Sequence, residues 1–121
     1  MSRARVILGK TGEDLACAEL EKRGYAIIAR RYRRRIGEID IVCRDGATIV
    51  FVEVKARDSH AFGEAAEAVT AVKRRRITQL ARDYMARQHV SDCPCRFDVV
   101  SIHFDGGRPE IQVFQNAFDA L

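Results

Sequence analysis

Gly37-Glu38-Ile39-Asp40-Ile41-Val42-Cys43-Arg44, then Asp45-Gly46, then Ala47-Thr48-Ile49-Val50-Phe51-Val52-Glu53-Val54-Lys55-Ala56-Arg57 is the stretch on which the fold turns. Both flanks are rich in β-branched and aromatic residues, as strands are. Asp45-Gly46 between them is a two-residue hairpin signal, because a type I′ turn needs φ > 0 at both central positions. Closing the hairpin there pairs Arg44 with Ala47, Cys43 with Thr48 and Val42 with Ile49, and further out Asp40 with Phe51 and Glu38 with Glu53. Side chains alternate along a strand. Glu38, Asp40 and Val42 then share a face with Ile49, Phe51, Glu53, Lys55 and Arg57, while Val50, Val52, Val54 and Ala56 form the core on the other. Directly opposed residues share a face, so Asp40 is expected as a diagonal neighbour of Glu53, with Lys55 one step beyond. A one-residue slip would undo this arrangement.

Carboxylates gathered at this range repel, and each raises the others' pKa. A hard divalent cation, Mg²⁺ or Mn²⁺, relieves the repulsion because it takes oxygen ligands. Such an ion polarises a phosphate and lowers the pKa of bound water. The ammonium of Lys55 then positions that water or stabilises developing charge. These are the parts of phosphodiester hydrolysis. The plainer alternative is a solvated cross-strand Glu/Lys pair near a sheet edge. Against it, Glu53 and Lys55 lie within Val50-Phe51-Val52-Glu53-Val54-Lys55, and charge in an apolar strand is costly unless a site needs it.

Upstream, residues 1–9 read as a basic lead-in. Thr11 followed by Asp14 resembles a capping box and starts a helix at about Gly12, running to Arg23 with Gly24 as its stop. Ala16, Cys17 and Leu20 form its apolar stripe, and Glu13 points the same way. Periodicity leaves Glu13 open between a helix-dipole contact and a functional role. Tyr25 to Ala29 reads as a short strand. The run Arg30-Arg31-Tyr32-Arg33-Arg34-Arg35 follows, with one aromatic among five arginines. Such runs are often solvated surface, but here the tyrosine and the adjacent acidic motif favour phosphate contact with nucleic acid.

Downstream, Asp58 to Gly63 is a surface loop, and residues 64–69 fit helix or loop. Thr70 is the expected N-cap of a helix reaching about Gln88, with Ile77, Leu80, Ala81 and Tyr84 inward. Lys73, four residues before Ile77, either reaches the acidic face or snorkels to solvent. Arg74, Arg75 and Arg76 suit a helix N-terminus poorly, which points to phosphate contact. Arg96 to Phe104 and Pro109 to Phe114 are two more strands, leaving 115–121 as a tail. Asp98 lies in the first of them, where a structural hydrogen bond is favoured over an outer-shell role. The order helix, three strands, helix, two strands is a mixed α/β fold.

The chain has 121 residues and 47% apolar composition, which suits one globular domain over residues 1–121. Net charge is +4, and 17 of the 21 basic residues are arginine, the side chain that grips phosphate bidentately. Cys93-Pro94-Cys95 lacks a second pair to complete a soft-metal site. No serine has hydrolase spacing. Without a secretory or membrane-spanning pattern, the protein is expected to be soluble, cytoplasmic and reduced.

Gly37-Glu38-Ile39-Asp40, Phe51-Val52-Glu53-Val54-Lys55, Phe62-Gly63, Ala68-Val69-Thr70 with Lys73 and Arg76, Gly12-Glu13 and Arg96-Phe97-Asp98-Val99-Val100 together resemble the bacterial YraN family, over about residues 9–118. That family is similar to the restriction-endonuclease-like superfamily, which includes archaeal Holliday-junction resolvases. The resemblance implies a central mixed β-sheet flanked by helices, in the order α-β-β-β-α-β-β. It implies Glu13, Asp40 and Glu53 as ligands of Mg²⁺ or Mn²⁺ and Lys55 as the catalytic lysine, with Glu38 left outside the usual set. Ile39 stands where the superfamily often has proline, as in other YraN-like sequences, and Arg31-Tyr32 stands where the family often has asparagine. The expected function is a DNA endonuclease for branched or damaged substrates, with Arg30, Arg31, Arg33, Arg34, Arg35, Lys73 and Arg76 on the backbone. The resolvases act as dimers, so a homodimer is implied. A non-catalytic nucleic-acid-binding module on the same fold, or a protein that meets an acidic protein partner, are the alternatives.

Overall fold

A computed structural model describes residues 3–57, 69–104 and 106–120, with side chains from residue 11 onward. The elements in chain order are α1 (Arg3–Lys22), β1 (Ala26–Arg34), β2 (Gly37–Asp45), β3 (Thr48–Arg57), α2 (Ala71–Arg87), β4 (Cys95–His103) and β5 (Glu110–Phe118). This is the expected α-β-β-β-α-β-β order. The strands form a five-stranded sheet in the spatial order β1-β2-β3-β4-β5. Neighbours are antiparallel except β3 and β4, which are parallel. A parallel pair needs a long crossover, and the segment carrying α2 supplies it.

Helices cover both faces. On the α1 side, Ala16, Cys17 and Leu20 pack with Ile41, Cys43, Val50, Val52, Val100 and Ile102. On the α2 side, Ile77, Leu80, Ala81 and Tyr84 pack with Ile49, Phe51, Phe97 and Val99. The face of β3 carrying Ile49 and Phe51 is therefore core as well. The Val50/Val52 face is core as expected, and the opposite face is too, because a central strand between two helical layers is buried on both sides.

α1 begins at Arg3, so residues 3–9 are helix and not a lead-in, and the helix does not start at Gly12. Favourable helix formers such as Arg, Ala and Leu carry the helix through, and Thr11 lies inside it instead of capping it. Gly24 ends the helix with φ +95°. Gly12 is buried, and a Cβ there would lie 2.7 Å from the Ala56 Cβ. Only a glycine lets α1 approach the end of β3 this closely.

β1 does not stop at Ala29 but continues through the arginine run to Arg34. As an edge strand it leaves those long side chains room to reach water, and charge on an edge discourages unwanted pairing. In the β2–β3 hairpin the pairs are Asp45↔Thr48, Arg44↔Ile49, Cys43↔Val50 and Val42↔Phe51, not those expected. The connecting residues are Gly46-Ala47. Gly46, at φ +62°, takes the first central position, where a type II′ turn puts glycine. The shift is by two residues, so the side chains of the paired residues 41–45 and 48–52 keep their expected faces.

α2 is capped as expected: Thr70 accepts from the Lys73 amide through its side chain. β5 runs to Phe118, so residues 115–118 are strand and not tail. Phe118 is buried and stacks on Phe97 with centroids 5.0 Å apart. The loop expected at Asp58 to Gly63, and the ambiguous residues 64–68, lie outside the described residues.

Candidate active site

The β2–β3 ladder ends at Ile41↔Val52, and one step further brings Asp40 opposite Glu53. There the strands part. Ile39 packs on the α2 side and Ile41 on the α1 side, two residues apart, so regular alternation breaks at Asp40. The Asp40 carboxylate turns into the gap, and its Oδ2 accepts from the Val54 amide at 2.8 Å. The expected diagonal relation to Glu53 becomes a direct one.

This setting is hostile to charge. Burial, then the charge of Glu53, pushes the Asp40 carboxyl up to about 7, against the pull of the Val54 amide and with smaller contributions from Glu13 and Glu38. The four acids singled out in the sequence therefore share one electrostatic environment.

Glu53 is buried, with 8% exposure. Its Oε1 lies 3.5 Å from the Lys55 Nζ and in direct contact with the Lys73 Nζ. Lys55 comes from the same strand two residues on, and Lys73 from the first turn of α2. The two lysines diverge in proton affinity. Burial, then the neighbouring Lys73, lowers the pKa of Lys55 despite Glu53. Burial also opposes charge on Lys73, but its hydrogen bond to Glu53 prevails and raises it. Lys73 is the committed ammonium, and Lys55 gives up its proton more readily.

Glu13 faces the site from α1 and is 8% exposed. Its Oε1 accepts from Arg30 Nε at 3.0 Å and Arg31 Nε at 3.1 Å. Arg31 adopts φ 54°, a left-handed conformation uncommon outside glycine. Glu38 pairs across strands with Arg33 at 3.3 Å. Arg34 Nε lies 3.3 Å from the Asp83 carboxylate, which also accepts from the Tyr32 hydroxyl. Much of the arginine run thus has partners within the chain, where the sequence suggested phosphate contact over solvated surface. Among the described residues Arg35, Arg75 and Arg76 form no ion pair; the stem of Arg76 covers Gly37.

Among the described residues no three His, Cys, Asp or Glu side chains are grouped to hold a metal ion. The donor chemistry nonetheless fits a hard divalent cation at Asp40 and Glu53. They are carboxylates opposed at a splayed strand end, and one of them is driven toward neutrality. Glu13 is turned to its arginines. Cys93 packs partly against the α2-side core and Cys95 is exposed, so the Cys93-Pro94-Cys95 segment gathers no metal ligands among the described residues. Asp98 has the structural role expected: fully buried, it binds Arg96 Nε at 3.0 Å and the Asn116 amide at 2.9 Å.

Sequence reasoning missed two contributors. The Val54 amide leaves no trace in residue type. Gly12 did leave one, a small residue four before Ala16 on the inward stripe, which signals close approach of a helix.

No helix among the described residues is long and apolar enough to cross a membrane. The family model described as "Uncharacterised protein family UPF0102" matches residues 12–102. The chain is 49% identical over 119 residues to a UPF0102 protein of Geobacter metallireducens, covering 98% of each chain. It is 47% identical over 114 residues to one of Symbiobacterium thermophilum, covering 93% of this chain and 97% of the relative. A third, of Pelotomaculum thermopropionicum, is 41% identical over 120 residues, covering 98% of this chain and 100% of the relative.

Proposed function

The chain belongs to the uncharacterised family UPF0102 (YraN), and on that premise we propose that it is a Mg²⁺- or Mn²⁺-dependent endonuclease that hydrolyses phosphodiester bonds in branched or damaged DNA. The observation that carries this reading is the opposed Asp40–Glu53 pair, whose charge the chain tolerates poorly. The pKa of Asp40 near 7 marks a carboxylate short of positive charge, and a divalent cation supplies it.

Asp40 and Glu53 would hold that ion, which would supply Lewis-acid polarisation of the phosphate and activation of a water. Lys55, the more readily deprotonated of the two lysines, orients the water or takes its proton. Lys73 keeps its charge and faces the negative phosphate. Arg35 and Arg76 hold the flanking backbone, a sequence-independent contact.

One observation favours a second reading, a nucleic-acid-binding module without turnover: Glu13 and Glu53 are already paired with cations of the chain. Cleavage separates the two. Labelled four-way-junction, flap, single-stranded and duplex DNA are incubated with Mg²⁺, Mn²⁺ or EDTA and with wild type, Glu53→Ala or Lys55→Ala. Metal-dependent cutting lost in both variants is expected. Salt-sensitive binding without cutting, unchanged in the variants, would establish the module instead. Absence of both would point to an acidic protein partner.

A further inference from the structure

Glu53 carries two lysines on a single oxygen, and they differ in what holds them there. Lys55 is anchored by β3, a strand paired on both sides, with its side chain 21% exposed. Lys73 arrives from another element. Its backbone is fixed, because its amide is the donor to the Thr70 cap. Its side chain is 35% exposed, and a lysine stem of four methylenes can swing to water without disturbing the helix.

The contact sits where a metal would bind. An ammonium held closely on a carboxylate competes with a divalent ion for it, since two cations at contact range repel. We propose that Lys73 is a built-in counter-ion of this site, competing with the divalent cation for Glu53 and leaving that carboxylate when the metal binds. This inference rests on the metal-dependent reading above and gives Lys73 a role that reading does not require. It also explains how a buried Glu53 opposite Asp40 is tolerated before metal arrives: α2 brings the missing positive charge with it.

The sign of the effect separates competition from structural support. A residue that merely shaped the site would, when removed, weaken metal binding. A competitor, when removed, strengthens it. Mn²⁺ is titrated calorimetrically into wild type, Lys73→Gln, Lys73→Arg and Arg75→Gln at low salt. Lys73→Met replaces Lys73→Gln if the latter does not fold. Lys73→Gln is expected to bind Mn²⁺ about tenfold more tightly than wild type, a difference of one decade in dissociation constant. Lys73→Arg, which keeps a cation there, should stay near wild type. Arg75→Gln removes an exposed charge from the same turn and controls for the general field, so it should change affinity by less than about threefold.

Unchanged or weaker binding by Lys73→Gln overturns the proposal, as does an Arg75→Gln gain equal to that of Lys73→Gln. Equal binding by all the proteins refutes the counter-ion alone and leaves the metal site standing. No Mn²⁺ binding by any of them refutes both.

Discussion

Asp40 Oδ2 accepts the Val54 amide at 2.8 Å across the point where β2 and β3 separate. The bond fixes the carboxylate in the gap by taking a backbone donor that a continued ladder would have used. It holds the side chain in a place that burial and Glu53 make unfavourable for a negative charge.

Stability in EDTA should show that cost. The carboxyl of Asp40 is raised from 3.8 to about 7, so its contribution is fully present below pH 3.8 and is lost as pH rises through about 7. Asp40→Asn keeps an oxygen for Val54 and cannot ionise. Urea unfolding at pH 8 should find the variant more stable, by up to about 4 kcal/mol, with the gain gone near pH 3.5. A variant equally or less stable at pH 8 would refute the assignment.

Gly12→Ala should run against helix propensity. In an ordinary helix interior the change stabilises by about 0.8–1 kcal/mol. Here the new Cβ meets the Ala56 Cβ at 2.7 Å, and overpacking should cost about 1–3 kcal/mol instead. Ala56→Gly in the same chain should recover part of the loss. A thermal melt of wild type and the two variants decides it.

Two ion pairs should differ sharply in worth. Asp98 is fully buried with Arg96 and the Asn116 amide, so Asp98→Ala should cost about 3–5 kcal/mol. The Arg33–Glu38 pair lies at an exposed edge, and Arg33→Ala should cost under about 1 kcal/mol. Chemical denaturation of both variants tests the contrast.

Thiol labelling should follow burial. Cys43 is completely buried, and that burial, then Asp98, pushes its thiol up to about 12. Iodoacetamide at pH 8 should modify exposed Cys95 first and leave Cys43 unlabelled until urea unfolds the protein, as peptide mass mapping would reveal.

The faces of β3 and of β2 from Ile41 onward were readable from period-two alternation, and so was the nearness of Asp40 to Glu53. The register shift and the break at Ile39, which set the two directly opposite, were not. The turn was not read correctly, since Asp45-Gly46 and Gly46-Ala47 both put Gly46 at a left-handed position. The error did no harm because it was even-numbered. The arginine run resisted reading because strand propensity says little about edge positions, where charge is tolerated. Thr11 misled because a capping signal marks a helix start only when what precedes it is not helical. The partners of Arg30, Arg31 and Arg34 sit on other elements, Glu13 on α1 and Asp83 on α2, and no local pattern announces them.

Spatial strand order equals chain order in this sheet, and that has a kinetic consequence. Glu13, Asp40 and Glu53 all lie in the first half of the chain, which the two hairpins β1–β2 and β2–β3 assemble by local pairing. Local contacts form early, and the β3–β4 junction, closing the longest loop, forms late. Lys73 belongs to that late half. The nascent sheet thus brings Asp40 and Glu53 together before Lys73 docks, and docking of α2 is favoured twice, once by its apolar stripe and once by that acidic pair.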